Sequence, residues 1–203
     1  MLEGPLVFVD VDTQRDFLEP TGALFVPGAE AIVANLARLT GFARRHGIPV
    51  LATADAHRDD DTEEIARFGR HCMAGTRGQT RIDATAWPGG IVLGVGDRFA
   101  DDAPSLPAHL TVEKRAFNVF TRPDADRIVA RYNRDRPTFV VYGVATDYCV
   151  SAVVLGLRRL DSKVVVVADA VRAIDVEHEP EVLKTFTDAG AVLTVTEAVC
   201  RGD

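Results

Sequence analysis

The sequence predicts an α/β protein, a three-layer α/β/α sandwich around a mainly parallel six-stranded sheet. The first observation is that short valine-rich runs alternate along the chain with segments of helical periodicity. The second is that these runs lack the apolar–polar alternation of a half-exposed strand, so helices should cover both faces of the sheet. The 203 residues, 47% of them hydrophobic, are predicted to form a single domain over residues 1–203.

The predicted elements follow one another in the order that such a fold requires. Six apolar runs have the length and composition of buried strands, at residues 6–11, 48–54, 110–113, 138–143, 164–168 and 191–195. One helix is predicted between the first two strands, where His46-Gly47 ends an apolar face formed by Ile32, Leu36, Leu39 and Ala43. Further helices are predicted at 123–132, 149–160 and 180–189. The irregular stretch 55–98 is too long for a plain connection, so we expect it to carry function.

Composition excludes several classes of partner. The net charge of −7, with no stripe of basic residues, argues against a nucleic-acid partner. No apolar run approaches the length that a bilayer requires, and no signal peptide is recognisable, so we expect a cytoplasmic protein without a membrane partner. The cysteines Cys72, Cys149 and Cys200 are few, odd in number and far apart, which favours reduced thiols over a disulfide framework.

Polar residues with catalytic chemistry follow three of the predicted strands. Asp12 follows the first, Lys114 the third and Cys149 the fourth. Because the carboxyl ends of parallel strands meet at one edge of a sheet, we expect these side chains to converge there. A carboxylate can take a thiol proton and later return it to a leaving amine, while an ammonium group supports the thiolate. Taken singly, Asp12 could cap a loop and Lys114 could be a solvated strand end.

Cys149 is predicted to begin a helix. Downstream residues recur at the spacing of one helix face, namely Val150, Val153, Val154 and Leu157. Unpaired N–H groups and the positive end of the helix dipole favour a thiolate there and could also hold an oxyanion. Together with a nearby cation, they predict a lowered thiol pKa. The alternative is a buried structural cysteine.

Two runs of the chain have a familiar pattern. Asp12-Thr-Gln-Arg-Asp16-Phe17 and Gly143-Val-Ala-Thr-Asp-Tyr-Cys149, with Lys114 between them, resemble the cysteine hydrolases of the isochorismatase-like superfamily. The resemblance implies a catalytic triad of Asp12, Lys114 and Cys149. It also implies a cis peptide before Ala145 and an oxyanion hole formed by the N–H groups of Ala145 and Cys149.

A second set of residues suggests a metal site. Asp55 and His57, at i and i+2, share one face of an extended chain, and His71 follows in the long irregular stretch. One carboxylate with two imidazoles suits one divalent ion, Zn²⁺ first and Mn²⁺ or Fe²⁺ as alternatives. The arrangement resembles the nicotinamidase/pyrazinamidase branch of the superfamily, in which some members use a glutamate as a fourth ligand. Glu64 is the candidate here; otherwise it belongs to a solvated acidic loop that also contains Glu63.

Aromatic residues complete the expected pocket. Phe17 and Phe68 resemble the residues that sandwich a pyridine ring in that branch, although either could be ordinary core. Trp87 and Phe120 are weaker candidates for the pocket wall. Cys72 is expected to be structural.

The resemblance implies a metal-dependent cysteine amidohydrolase that converts nicotinamide to nicotinate and ammonia through a thioester. The alternatives are a sister hydrolase of another small amide, such as maleamate, a carbamoyl compound or biuret, and a catalytically silent ligand-binding α/β domain. The expected partners are a small-molecule amide and further copies of the chain in a homo-oligomer.

Overall fold

In a computed structural model, which describes residues 4–100 and 105–201, the chain folds around one parallel sheet. Seven strands form that sheet within these residues. They are β1 (Leu6–Val11), β2 (Val50–Asp55), β3 (Ile91–Leu93), β4 (His109–Lys114), β5 (Thr138–Val144), β6 (Lys163–Arg172) and β7 (Val192–Thr194).

The strand order is β3-β4-β2-β1-β5-β6-β7, with every neighbouring pair parallel. The central strand β1 pairs with β2 on one side and β5 on the other, so Phe8 lies between Val50 and Val140. On the far side of β2, Asp55 is in register with Lys114 of β4. The carboxyl ends of β4, β2, β1 and β5 are therefore adjacent, and this is where the sequence places the candidate catalytic residues.

Helices cover both faces of the sheet. They are α1 (Arg15–Leu18), α2 (Val33–His46), α3 (Thr62–Phe68), α4 (Ala125–Tyr132), α5 (Ser151–Arg159), α6 (Glu179–Asp188) and α7 (Thr196–Val199). Short 3₁₀ turns at Ala29–Ile32 and Val119–Thr121 and a π-helical turn at Thr146–Val150 precede α2, α4 and α5. None of the helices in the described ranges has both the length and the hydropathy to cross a bilayer.

The core is divided by the sheet into two apolar clusters. On one face Val9 and Val141 pack with Val129 of α4 and Leu157 of α5. On the other face Phe8 and Val140 pack with residues of α2 that include Leu36, Leu39 and Ala43. Alternate residues of each strand thus enter opposite clusters, which confirms the three-layer arrangement predicted from strands without polar alternation.

The stretch 55–98, predicted to be irregular, contains one strand and one helix. Strand β3 is a three-residue edge strand in which Ile91 and Val92 are about half exposed, and such a short run carries little periodic signal. Helix α3 spans only seven residues, none of them buried, so its periodic signal is weak. Because β3 was not predicted, the sheet has seven strands instead of the predicted six.

Candidate active site

Four neighbouring strand ends build one cluster of buried polar side chains. Asp12 directly follows β1, Asp55 and Lys114 are the last residues of β2 and β4, and Cys149 lies in the turn after β5. All four side chains are at most 5% exposed. The sheet register thus brings together residues that are separated by up to 137 positions, the distance from Asp12 to Cys149.

The backbone of Asp12 is in the left-handed region, with φ of 47°. Its N–H donates to the carbonyl of Thr53 at 3.3 Å, and its Oδ1 accepts the Thr53 hydroxyl at 2.7 Å. Its Oδ2 lies 2.8 Å from Nζ of Lys114. Burial raises the pKa of Asp12, and although Lys114 opposes the rise, the carboxyl is a stronger base than an exposed aspartate.

Lys114 joins the acidic residues to the cysteine. Its Nζ contacts carboxylate oxygens of Asp12 and Asp55 and lies 3.8 Å from Sγ of Cys149. Burial alone would lower the pKa of Lys114, but the two carboxylates outweigh burial and raise the pKa well above its ordinary value. Lys114 is therefore a fixed ammonium group beside the sulfur.

The helical backbone around Cys149 begins earlier than predicted. The π-helical turn Thr146–Val150 leads directly into α5, so Cys149 lies within the first turn rather than at its start. The four downstream apolar residues are buried on one face as predicted, namely Val150, Val153, Val154 and Leu157. The peptide bond between Val144 and Ala145 is cis, as the resemblance implied.

The predicted lowering of the Cys149 pKa is wrong. Burial raises the pKa of the thiol well above its ordinary value. Lys114 opposes the rise, whereas the carboxylates of Asp12 and Asp55 add to it. Burial and the two carboxylates thus favour the thiol over the thiolate, and a carboxylate oxygen of Asp12 lies within 4.8 Å of Sγ.

Asp55, His57 and His71 form the expected group of metal-ligating side chains. Their ligand atoms all lie within 4.8 Å of one another. Nε2 of His57 lies 3.6 Å and Nε2 of His71 3.7 Å from Oδ2 of Asp55. The backbone N–H of His57 donates to the carbonyl of Cys72 at 3.1 Å, which holds the two histidine segments together. Burial would raise the pKa of Asp55, but Lys114 and the histidines keep it well below its usual range.

The histidine geometry fits a divalent ion. Nδ1 of His71 lies 2.9 Å from the carbonyl of Gly69, which can only accept a hydrogen bond, so the proton of a neutral ring is on Nδ1 and Nε2 is free. Nδ1 of His57 lies 3.3 Å from a carboxylate oxygen of Asp61, and its Nε2 is buried without a hydrogen-bond partner among the described residues. Two imidazole lone pairs and a carboxylate thus face one point.

Glu64 lies near this group but outside it. Its Oε1 accepts the backbone N–H of Phe117 at 3.3 Å, and it lines the same pocket as Asp55 and His71. The set of ligand atoms within 4.8 Å of one another does not include the Glu64 carboxylate in the described part of the chain. Its role as a fourth ligand stays a prediction.

The predicted aromatic residues Phe17 and Phe68 both line the pocket that opens onto Cys149. Two rings that the sequence analysis did not select line it as well, Phe117 and Tyr148, and the Phe68 and Tyr148 rings meet edge to face with centroids 5.0 Å apart. Phe117 follows Lys114 closely and Tyr148 precedes Cys149, so their position beside catalytic candidates could have singled them out.

The weaker candidates lie elsewhere. Trp87 stacks on His109, at the amino end of β4, with ring centroids 5.1 Å apart. Phe120 lines an apolar cavity between the sheet and α4. Cys72 is buried, and its backbone N–H donates to the carboxylate of Asp16 at 2.6 Å, which agrees with a structural role.

Gln14 is a supporting residue that the sequence analysis did not identify. Its side-chain N–H donates to the carbonyl of Asp55 at 2.8 Å, and its Oε1 accepts the N–H of Asp55 at 2.7 Å. The amide also donates to the carbonyl of Gln79 at 2.7 Å. Gln14 is fully buried and holds the backbone of Asp55 from both sides. Its place in the run after β1 is the only sequence signal.

Residues 6–198 match the family described as the Isochorismatase domain. The chain belongs to the isochorismatase family. The resemblance on which the site was predicted is therefore confirmed at the level of the family, over nearly the whole chain.

Relatives within this family act on several amides. The chain is 26% identical to a nicotinamidase of Escherichia coli in an alignment of 211 positions, gaps included, which covers 93% of the chain and 94% of the relative. A solved N-carbamoylsarcosine amidase of Thermoplasma acidophilum is 28% identical, with coverage of 96% and 98% and a TM-score of 0.73. A pyrazinamidase of Pyrococcus horikoshii, solved in complex with zinc, is 24% identical, with coverage of 95% and 99% and a TM-score of 0.74. The last likeness shows the fold alone.

Proposed function

We propose that the protein is a cysteine amidohydrolase that converts nicotinamide to nicotinate and ammonia. The observation that carries the proposal is the buried contact of three side chains, in which Lys114 Nζ lies 2.8 Å from Asp12 and 3.8 Å from Cys149 Sγ. The family match and the nicotinamidase relative support hydrolysis of an amide. The pocket of aromatic rings beside Cys149 supports a flat heteroaromatic substrate.

Acylation begins with transfer of the Cys149 thiol proton to the carboxylate of Asp12 while sulfur attacks the amide carbon. The carbonyl oxygen becomes an oxyanion, which the backbone N–H groups of Ala145 and Cys149 stabilise. Asp12 then returns the proton to the amide nitrogen as the carbon–nitrogen bond breaks. Ammonia leaves, and the acyl group remains on Cys149 as a thioester.

Deacylation repeats these steps with water as the nucleophile. The oxygen of water attacks the thioester carbon while Asp12 takes a proton from the same water molecule. The carbon–sulfur bond then breaks. The sulfur recovers a proton from Asp12, and the acid product leaves. The ammonium group of Lys114 stabilises the anionic sulfur that forms as the carbon–sulfur bond breaks, because its Nζ lies 3.8 Å from Sγ.

Asp55, His57 and His71 would hold the divalent ion, and we propose Zn²⁺. The two imidazoles and one carboxylate are ligands that zinc accepts while keeping a position for a further group. A bound ion would supply a Lewis-acidic centre that attracts the ring nitrogen of nicotinamide. The zinc complex of the Pyrococcus horikoshii pyrazinamidase is consistent with this choice.

A second candidate substrate is a small carbamoyl compound. The 28% identity to the N-carbamoylsarcosine amidase of Thermoplasma acidophilum, over 96% of the chain, favours this possibility. The same steps would apply, because a carbamoyl carbon also carries an amide nitrogen as its leaving group.

Ammonia release from a panel of amides tests the proposal. The purified protein, loaded with zinc, would be assayed with nicotinamide, pyrazinamide, maleamate, N-carbamoylsarcosine and biuret, with Cys149→Ala as the control for each. We expect the highest kcat/KM for nicotinamide and no release by the variant. A preference for the carbamoyl compound would favour the second candidate, and no release from any amide would contradict both.

A further inference from the structure

We propose that Thr53 is a positioning residue that orients the carboxylate of Asp12 to receive the thiol proton of Cys149. This inference rests on the proposed function, because it assigns Asp12 as the base. Thr53 does not face the substrate pocket itself, since its side chain lines the apolar cavity between the sheet and α4. Its effect on the reaction is therefore exerted through Asp12.

Thr53 holds Asp12 by two hydrogen bonds. The Thr53 carbonyl accepts the backbone N–H of Asp12 at 3.3 Å, and the Thr53 hydroxyl donates to Oδ1 of Asp12 at 2.7 Å. These bonds support the backbone of Asp12, whose φ of 47° lies in a region that residues other than glycine rarely occupy. One residue of β2 thus fixes both the backbone and the carboxylate of the base.

The two carboxylate oxygens of Asp12 have different partners. Oδ1 accepts the Thr53 hydroxyl at 2.7 Å, whereas Oδ2 lies 2.8 Å from Nζ of Lys114. These two contacts fix the orientation of the carboxylate, which has an oxygen within 4.8 Å of Sγ of Cys149.

Thr53 is itself well fixed. It is 3% exposed in the interior of β2, in register with Val11 and Val112 on the neighbouring strands. Its carbonyl also accepts a long hydrogen bond from Arg81 at 3.4 Å. Because χ1 of a β-branched residue is stiff, packing of the side chain in the apolar cavity keeps the hydroxyl directed at Asp12.

Two matched pairs of side chains isolate the hydroxyl. The first pair is wild type and Thr53→Val, because valine has nearly the same shape as threonine but no hydroxyl donor. The second pair is Thr53→Ser and Thr53→Ala, which differ by the hydroxyl alone. Thr111→Val is the control, because Thr111 is buried to a similar extent in β4 and its hydroxyl makes no hydrogen bond with another described residue. Thermal unfolding of each variant reports whether the fold is retained.

The experiment measures kcat and KM for the amide that wild type hydrolyses best, and the rate at which iodoacetamide alkylates Cys149, followed by peptide mapping. We expect Thr53→Val and Thr53→Ala to lower kcat and the alkylation rate by roughly 10- to 100-fold, the range in which a hydrogen bond to a charged group acts. KM should stay within about twofold. Thr53→Ser and Thr111→Val should keep both rates near wild type.

Equal kcat for the serine and alanine variants would overturn the inference, as would a loss confined to KM. If Thr53→Val fails to fold, the serine and alanine pair still decides. Failure of the proposed function gives a different result, because wild type would then release no ammonia from any amide, or Cys149→Ala would release it as fast as wild type. The alkylation rate requires no substrate, so it tests the link between Thr53 and Cys149 even if the true substrate is another amide.

Discussion

The two halves of the candidate site are held in place by different means. Asp12, Asp55 and Lys114 lie at strand ends, and neighbouring strands of the sheet set their positions. The segment that covers them, residues 56–90, contains helix α3, which has no buried residue. It is held instead by hydrogen bonds between side chains and backbone, such as those of Gln14 to the carbonyl of Gln79 and of Asp16 to the N–H of Cys72.

We expect the two halves to differ in function, with the strand ends carrying out the reaction and the covering segment binding the metal ion and the substrate. In the proposed mechanism the strand ends supply the reacting groups, and a packed sheet holds them rigidly. The covering segment supplies His57, His71, Glu64 and Phe68, which would bind the metal ion and the substrate. Substitutions at the strand ends should therefore remove turnover, whereas substitutions in the covering segment should weaken binding.

The largest effect is expected at the strand ends. Cys149→Ala and Asp12→Asn should each lower kcat by roughly 10³-fold or more, because these residues act as a unit in which one loss disables the rest. Bound metal, measured by elemental analysis, should remain at the wild-type level. Loss of metal together with turnover would show that the two halves are not separable.

The histidines of the covering segment should show the opposite pattern. We expect His57→Ala and His71→Ala each to weaken zinc binding by roughly 100-fold or more. Loss of a residue that only hydrogen-bonds to a metal ligand already costs roughly 10- to 100-fold, and loss of the ligand itself should cost more. Titration calorimetry with zinc measures the change. His109→Phe is the matched control, because His109 is a buried histidine at the amino end of β4. Unchanged affinity in both alanine variants would remove the metal site.

Gln14 lies at the junction of the two halves. Gln14→Leu leaves the N–H and the carbonyl of Asp55 buried without partners, so we expect the free energy of unfolding to fall by on the order of 3 kcal/mol. Zinc affinity should fall as well, because Asp55 is a ligand candidate. Urea denaturation of this variant and of Gln79→Leu, whose side chain is partly exposed, measures the difference. Equal stability of the two variants would contradict the role assigned to Gln14.

The smallest effect is expected at Glu64. Glu64→Gln should weaken zinc binding by no more than about tenfold, less than loss of either histidine, because its carboxylate lies outside the three-ligand group. Glu63→Gln, at an exposed neighbouring position, is the control. If both variants bind zinc as tightly as wild type, Glu64 is not a ligand.

The strand ends were also the more predictable half. The apolar runs that become β1, β4 and β5 are visible in the sequence, and polar residues that directly follow such runs converge at one sheet edge. Lys114 and Cys149 were found in this way. Helix α3 and strand β3 were not predicted, because they span only seven and three residues and are too short to show clear periodicity.

The supporting contacts could not be predicted for a different reason. Gln14 and Thr53 each act on a partner 41 positions away, and no local pattern encodes which strands become neighbours. The direction in which the pKa of Cys149 shifts depends on burial and on two carboxylates from other strands. The helix and the nearby cation, from which a lowered pKa is predicted, act in the opposite direction.

The central claim, that Cys149 carries the acyl group, is tested most directly by mass spectrometry of protein quenched with acid during turnover of nicotinamide. We predict a nicotinoyl adduct that maps to the Cys149 peptide, disappears when the substrate is exhausted and is absent from Cys149→Ala. Steady ammonia release with no adduct on Cys149, at a rate that the alanine variant matches, would contradict the account.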